Sequence, residues 1–445
     1  MRRTLAPLIF AALTLAACAS APPLGPTEVA PTFIEDDAER AFAEARTSGK
    51  PVFVDTWATW CHSCLALKAE VLTDPALGRF SDAFVWLSLD VERESAAPFL
   101  ERFPQPAYPT LWVIRPNGTP LLRWVGTLTA PQLADLLTDA LVAHSGAPAA
   151  TATALLLRAE AAAAEGRGDE AISGYRAALA DAPTDWPRRA RTANALLFVL
   201  MKDERYAEGL ALALTEVPRT AVGAAGRADL VIGGIGCATE LPETDPARKP
   251  GLETLLPTAR ELANDRSLLG DDRSGAWMAI VDAYGALGDD AAKKATSLAW
   301  VEFLESAAAN AKTPEARAVF DTHRMVAYLA VGRGVDAVAA LERSERDFPS
   351  DYNPPARKAN VLMELGRYDE ALVSLNRALG LVYGPRRLRL RMTEASIHEK
   401  RNDRPAARAA LESALREAKE LPEAQRPNKV VATLEKRLAG LTAAP

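Results

Sequence analysis

The feature that most constrains this chain is a pair of cysteines, Cys61 and Cys64, placed where a short apolar strand gives way to a helix. Val52 to Thr56 is a β-branched apolar run of strand length. Past Trp57-Ala58-Thr59-Trp60-Cys61-His62-Ser63-Cys64, the residues Leu65, Leu67, Lys68, Val71 and Leu72 recur at helical spacing. So small a loop makes a poor structural staple, because closing it removes little entropy from the unfolded chain. Redox chemistry suits the position better. The thiolate is the nucleophilic form of cysteine, and the unpaired N–H groups and dipole of a helix N-terminus favour it at Cys61. Cys64, one turn further in, is near enough to close a disulfide; it is expected to be the less exposed sulfur, the one that resolves a mixed disulfide formed on Cys61.

The surroundings, from Glu35 to about Ser145, alternate helix and strand. Asp36 to Ala45 is a helix candidate stopped at Ser48-Gly49-Lys50-Pro51, and Phe84 to Val91 is a buried strand. Leu111 to Ile114 and Leu121 to Val125 flank the turn signal Pro116-Asn117-Gly118 and make an antiparallel hairpin. Thr129 to Ala143 closes as an amphipathic helix with Thr129 as N-cap ahead of Pro131. A carboxylate at Asp55, inside the apolar strand, is costly unless it has a partner or a task.

This order of elements, with C-x-x-C directly after a strand, resembles the thioredoxin superfamily. The stretches Lys50-Pro51-Val52-Phe53-Val54-Asp55, W-A-x-W-C-x-x-C and Val71-Leu72-Thr73-Asp74-Pro75 are most similar to the C-terminal periplasmic domain of the transmembrane thiol:disulfide interchange proteins. The resemblance implies that Cys61 attacks, that Cys64 resolves, and that Asp55 lies beneath the dithiol and relays a proton for the resolving cysteine; the alternative for Asp55 is a hydrogen-bonded structural carboxylate. It further implies a cis proline at Pro109, in Tyr108-Pro109-Thr110, packed against the dithiol beside the substrate backbone. Trp60 and His62 flank the nucleophile as modulating residues. A protonated His62 favours the thiolate, and the competing reading makes it an exposed loop side chain. Thioredoxin itself carries Gly-Pro between its cysteines where this chain has His62-Ser63, and that dipeptide governs the reduction potential, so the direction of electron flow stays open.

No cofactor and no metal is expected. A metal site built on Cys61, His62 and Cys64 would need further ligands, and His144, His323 and His398 are scattered without ligand spacing. Cys237, in an apolar glycine-rich stretch, reads as a core residue. The net charge of −6, with acidic and basic residues interspersed, leaves no basic surface for nucleic acid.

Arg2 and Arg3, the apolar run Leu5 to Leu15 and the small residues after it form an export signal too short to span a bilayer comfortably. Its end, Leu15-Ala16-Ala17-Cys18, resembles the bacterial lipobox, which implies lipidation of Cys18; the rival is cleavage after Ala19-Ser20-Ala21. With Ala19 after the cysteine, the lipoprotein resemblance implies a cell-envelope protein on the outer membrane, facing the periplasm and held only by its N-terminal lipid.

After Ser145-Gly146-Ala147-Pro148 strand signals nearly vanish. Gly166 to Ile172 with Tyr175, Ala178 and Pro183 resembles the second helix of a tetratricopeptide repeat. So do Gly332, Ala337, Leu341 and Pro349, and again Gly366 to Ala371 with Leu375 and Ala378. Ala337 and Ala371 are separated by 34 residues, the period of that repeat. A weaker unit centres on Ala407, Leu411 and Ala414, and irregular helices are expected between about Thr220 and Asn310. The arginine-rich run Arg386 to Arg391 reads as a solvated face.

The expected organisation is a signal and lipobox at 1–18, a proline-rich tether at 19–34, an α/β thioredoxin-like domain at 35–145 and an all-α TPR-like region at 146–445. The function implied is thiol–disulfide exchange on envelope proteins bearing disulfides, with helical repeats recruiting partners and a separate electron donor or acceptor. The alternative is a non-enzymatic scaffold with a vestigial redox domain.

Overall fold

The computed structural model describes residues 30–105, 107–146, 151–220 and 225–442. Cys18 and the tether up to residue 29 lie outside them. Among the described residues no helix is long and apolar enough to cross a membrane.

A five-stranded sheet forms the first half. Its strands are β1 (Ile34–Glu35), β2 (Val52–Trp57), β3 (Val85–Asp90), β4 (Thr110–Ile114) and β5 (Pro120–Val125), in the spatial order β1-β3-β2-β4-β5. β1 and β2 run parallel to β3, while β4 is antiparallel to β2 and to β5. The central strand β2 is hydrogen-bonded on both edges and its Val52–Thr56 segment is wholly buried, which is why it reads as a continuous apolar run rather than an alternating one. β1 includes Ile34, expected in the tether; two residues carry no periodicity to read. Helix α1 (Ala38–Ser48) is capped by Asp37 and ends at Gly49. α2 (His62–Ala66) continues as a wider π turn over Leu67–Val71. α3 (Ala97–Arg102) precedes the hairpin, and α4 (Ala130–Ser145) starts with a capping box of Thr129 and Gln132.

The second half is helical throughout. It comprises α5 (Thr151–Ala164), α6 (Gly168–Asp181), α7 (Arg189–Lys202), α8 (Tyr206–Glu216), α9 (Ala225–Glu240), α10 (Arg248–Asn264), α11 (Gly270–Leu287) and α12 (Asp290–Asn310). These are followed by α13 (Pro314–Ala318), α14 (Asp321–Ala330), α15 (Gly334–Asp347), α16 (Asn353–Glu364), α17 (Tyr368–Leu381), α18 (Arg386–Lys400), α19 (Arg404–Glu420) and α20 (Asn428–Thr442). Neighbours pack in pairs, and buried alanines at the repeat positions, Ala171, Ala337, Ala371 and Ala407, let them approach closely. The turns inside the pairs adopt a left-handed conformation, at Gly166, Gly332 and Gly366, and at Glu204 and Asn402 in the pairs whose glycine signal is missing. The irregular middle, α9 to α11, shares one large core with parts of α7 and α8, in which Cys237 is fully buried.

The helices do not trail away from the sheet. Arg123 on β5 donates its backbone N–H to Glu160 of α5 (3.0 Å), and Thr127 donates to Asp272 of α11 (2.8 Å). Tyr352 beside α16 donates to Glu92 (2.6 Å), and Gln425 donates to the Val91 and Arg93 carbonyls (2.8 and 2.6 Å). Contacts from the beginning, middle and end of the array therefore converge on one small domain, so the array curls around it. Gly384 marks the tightest approach: its φ is +60°, and a Cβ there would stand 2.1 Å from the Glu92 carbonyl oxygen.

Where α5 and α7 meet the sheet domain, Arg191 pairs with Asp139 (3.1 Å) and Glu160 (2.9 Å), and all three are buried. Removing one member leaves buried charge uncompensated. Arg191→Met is expected to destabilise the chain by about 3 kcal/mol or more, measured as a lower urea midpoint; an unchanged midpoint would show that the network contributes nothing net.

Candidate active site at the dithiol

Cys61 is the N-cap of α2 and is joined to Cys64 by a disulfide. The Cys64 backbone N–H points at Cys61 Sγ at 3.1 Å, the contact that a thiolate at this place would receive once the disulfide opens. Cys64 is fully buried, and Cys61 retains 4% exposure. The order agrees with the expected roles, but neither sulfur lies open at the surface.

Asp55 sits in the middle of β2, opposite Ser88 on β3 and Leu111 on β4. Its side chain is fully buried and neither carboxylate oxygen has a hydrogen-bond partner. Lys68 Nζ, on the turn that prolongs α2, stands 3.7 Å away and donates instead to Ser88 Oγ at 2.6 Å. Burial pushes the Asp55 carboxyl up to about 6 against the pull of Lys68, so a proton can come and go near neutral pH. The Tyr108–Pro109 peptide is cis, Pro109 is buried, and its carbonyl accepts from the Gly126 N–H (2.9 Å). Tyr108 packs edge-on against Trp60, with ring centroids 5.7 Å apart.

The helical array packs against the residues that flank the dithiol. Asn353 Nδ2 donates to Thr59 Oγ1 (3.1 Å), Arg357 donates to the Trp60 carbonyl (3.2 Å), and the Arg386 guanidinium lies 4.9 Å above the Trp60 ring. This corrects the reading of Arg386 to Arg391 as a solvated face. Arg386 is drawn between Trp60 and the acidic Glu92, and Arg391 is paired with Glu394 and Glu417. Burial raises Glu92 to about 7, with the Tyr352 hydroxyl opposing the shift. Between the two halves a groove of ≈ 450 Å³ opens beside Trp60, Glu92, Tyr108, Arg386 and Gln425.

His62 is neither loose nor alone. Its Nδ1 is 2.8 Å from Asp271 Oδ1, and its ring centroid is 4.2 Å from that of His323. The expectation of scattered histidines is overturned at His323, because the fold brings α14 against α2 and sequence distance carries no record of that. Composition gave no sign of the other residues the sequence left out, Asn353, Arg357 and Asp271; their type is ordinary and their place is set by the tertiary wrap.

Residues 33–116 match a family described as thioredoxin-like. The chain is 35% identical over 103 residues to thiol:disulfide interchange protein DsbD 1 of Pseudomonas aeruginosa, covering 22% of this chain and 17% of that protein. It therefore spans less than a fifth of that relative. It is 34% identical over 94 residues to thioredoxin of Mycolicibacterium smegmatis, covering 21% of this chain and 81% of the thioredoxin. A solved tetratricopeptide repeat protein from Parabacteroides merdae aligns with 65% of this chain and 98% of its own, at a TM-score of 0.42 and 13% identity. With the dithiol at a strand-to-helix junction, a cis Tyr108–Pro109 peptide just before β4 and most of a thioredoxin's length aligned, this chain belongs to the thioredoxin family.

Proposed function

We propose that the protein is a cell-envelope thiol–disulfide oxidoreductase acting on disulfides of envelope proteins, with the helical array shaping which substrates reach the dithiol. The observation that carries this reading is the conjunction of Cys61 at a helix N-cap with a fully buried Asp55 on the preceding strand, whose oxygens lack a hydrogen bond and whose nearest cation is Lys68 at 3.7 Å. A structural disulfide has no use for a buried carboxylate that lacks hydrogen bonds, whereas a resolving thiol needs a proton acceptor.

In the reduced enzyme, the Cys61 thiolate attacks one sulfur of a substrate disulfide, forms a mixed disulfide and releases the other sulfur as thiolate. Cys64 then gives its proton to Asp55 and attacks Cys61 Sγ. The second substrate sulfur leaves and takes up a proton, the Cys61–Cys64 disulfide closes, and two electrons have passed to the substrate. A separate thiol donor restores the dithiol. With a substrate dithiol and the oxidised enzyme, the same steps run in reverse. Pro109 and Tyr108 flank the substrate backbone, and Trp60 and His62 tune access and charge beside Cys61. The groove accommodates an extended peptide segment rather than a folded surface. Attachment through Cys18 would place the enzyme on the outer membrane, facing the periplasm.

The competing reading is a scaffold with a vestigial redox domain, and one observation favours it: Cys61 is only 4% exposed. Trapping separates the two. Cys64→Ser in the full chain is expected to accumulate mixed disulfides on Cys61 with specific envelope proteins, and Cys61→Ser to lose turnover of a disulfide peptide by about 10³-fold or more. A trap that stays empty, together with unchanged thiol turnover in Cys61→Ser, supports the scaffold.

Asp55 supplies a second test. Its folded-state pKa is raised from 3.8 to about 6, so the native state holds this proton more tightly than the unfolded chain. The stability that comes with the proton is present below the lower value and is lost as pH climbs through the upper one. Asp55→Asn should therefore be more stable than the parent above the upper value, by up to about 3 kcal/mol, with the gap closing in acid. Resolution of the mixed disulfide should slow by roughly 10². Equal stability at every pH would remove the buried-acid argument.

A further inference from the structure

Where the redox helix meets the array, three side chains from distant parts of the sequence converge. His62 opens α2, Asp271 lies in the first turn of α11, and His323 lies in α14. His62 Nδ1 stands 2.8 Å from Asp271 Oδ1, His323 Nδ1 stands 3.8 Å from the same oxygen, and one ligating atom of each residue lies within 4.8 Å of the other two. An ion holding nitrogen and carboxylate oxygen at about 2.0–2.2 Å sets its ligand atoms roughly 3 Å apart, so small side-chain rotations close the trio upon one.

His323 is an independent sign. Its side chain is 2% exposed, and neither ring nitrogen has a hydrogen-bond partner. Native interiors rarely leave an imidazole in that condition, and ligation is one of the few interactions that would satisfy it. We propose that His62, Asp271 and His323 form a binding site for a divalent transition-metal ion of the zinc class. Two imidazoles and a carboxylate suit Zn²⁺ and its neighbours better than Mg²⁺ or Ca²⁺, which prefer oxygen donors alone.

The local charge favours a cation. Asp272 is buried next to Asp271, and Glu70 is close enough to interact with both. Arg357 acts on His323 in the opposite sense, but its guanidinium is engaged by the Trp60 carbonyl. The three ligands come from both halves of the molecule, so a bound ion fixes the array against the redox helix one residue from Cys61. It also takes up the His62 nitrogen that otherwise bonds Asp271.

The test uses the untagged full chain, stripped with chelator and kept oxidised so that Cys61 and Cys64 cannot serve as thiolate ligands. Zn²⁺ is titrated by calorimetry and Co²⁺ by visible absorption. One ion per chain is expected, with cobalt d–d bands. Affinity should fall by roughly tenfold or more in His62→Ala, Asp271→Asn and His323→Gln, since loss of outer-shell partners alone costs that much. His144→Ala, His398→Ala and the double variant Cys61→Ser with Cys64→Ser should bind as the parent does, the last even though its redox activity is gone. His62 is 31% exposed, so His62→Ala remains informative if circular dichroism shows that the buried variants do not fold. No stoichiometric binding by the folded parent, or parent-like affinity in His62→Ala, overturns the proposal.

Discussion

The structure turns on how one loop is held. Between Trp57 and Cys64 the chain leaves the central strand, turns and enters the redox helix, and at four places there it is met by the helical array: Thr59 by Asn353, the Trp60 carbonyl by Arg357, the Trp60 ring by Arg386, His62 by Asp271. Each such bond is modest alone. Acting together on a few consecutive residues, they fix the loop from outside while β2 and α2 fix it from within. The low exposure of Cys61, the groove beside Trp60 and the acidic neighbours of Arg386 all follow from that double grip.

The sheet domain was largely legible in the sequence because its signals are local. The buried run of β2, the Pro116-Asn117-Gly118 turn and the Thr129 cap each announce an element within a few residues, and the observed boundaries fall within two residues of the expected ones except at the end of α1, which runs on to Ser48, and in the short elements. The elements that escaped, β1 and α3, are too short to establish a period. The helical pairs were legible where glycine marks the turn and alanine the contact. They were obscure at Glu204 and Asn402, where a bulkier residue adopts the same left-handed conformation.

The candidate site was legible in part for the same reason. Cys61, Cys64, Asp55 and Pro109 belong to one domain whose local pattern names them. The residues that meet the loop around the dithiol are separated from it by some two to three hundred positions, and nothing about Asn353, Arg357 or His323 in sequence says which surface they will meet. Arg386 shows the cost of judging by composition: an arginine-rich helix start has the appearance of a solvent face, yet one guanidinium is turned inward onto a tryptophan. Repeat architecture announces itself by period, whereas the face it turns toward a neighbouring domain is written in scattered single residues.

The seam between the halves is also chemically distinctive. Beside apolar contacts such as Leu157 and Leu269 on the sheet core, part of it is closed by hydroxyls, amides and carboxylates, the Tyr352–Glu92, Tyr383–Asp90 and Gln425 contacts among them. Such groups find replacement partners in water at little loss, unlike apolar surface. Along that polar stretch the two parts are joined by bonds that water can replace one for one, while Trp60, Leu157 and Leu269 supply the greasy footing that keeps them together.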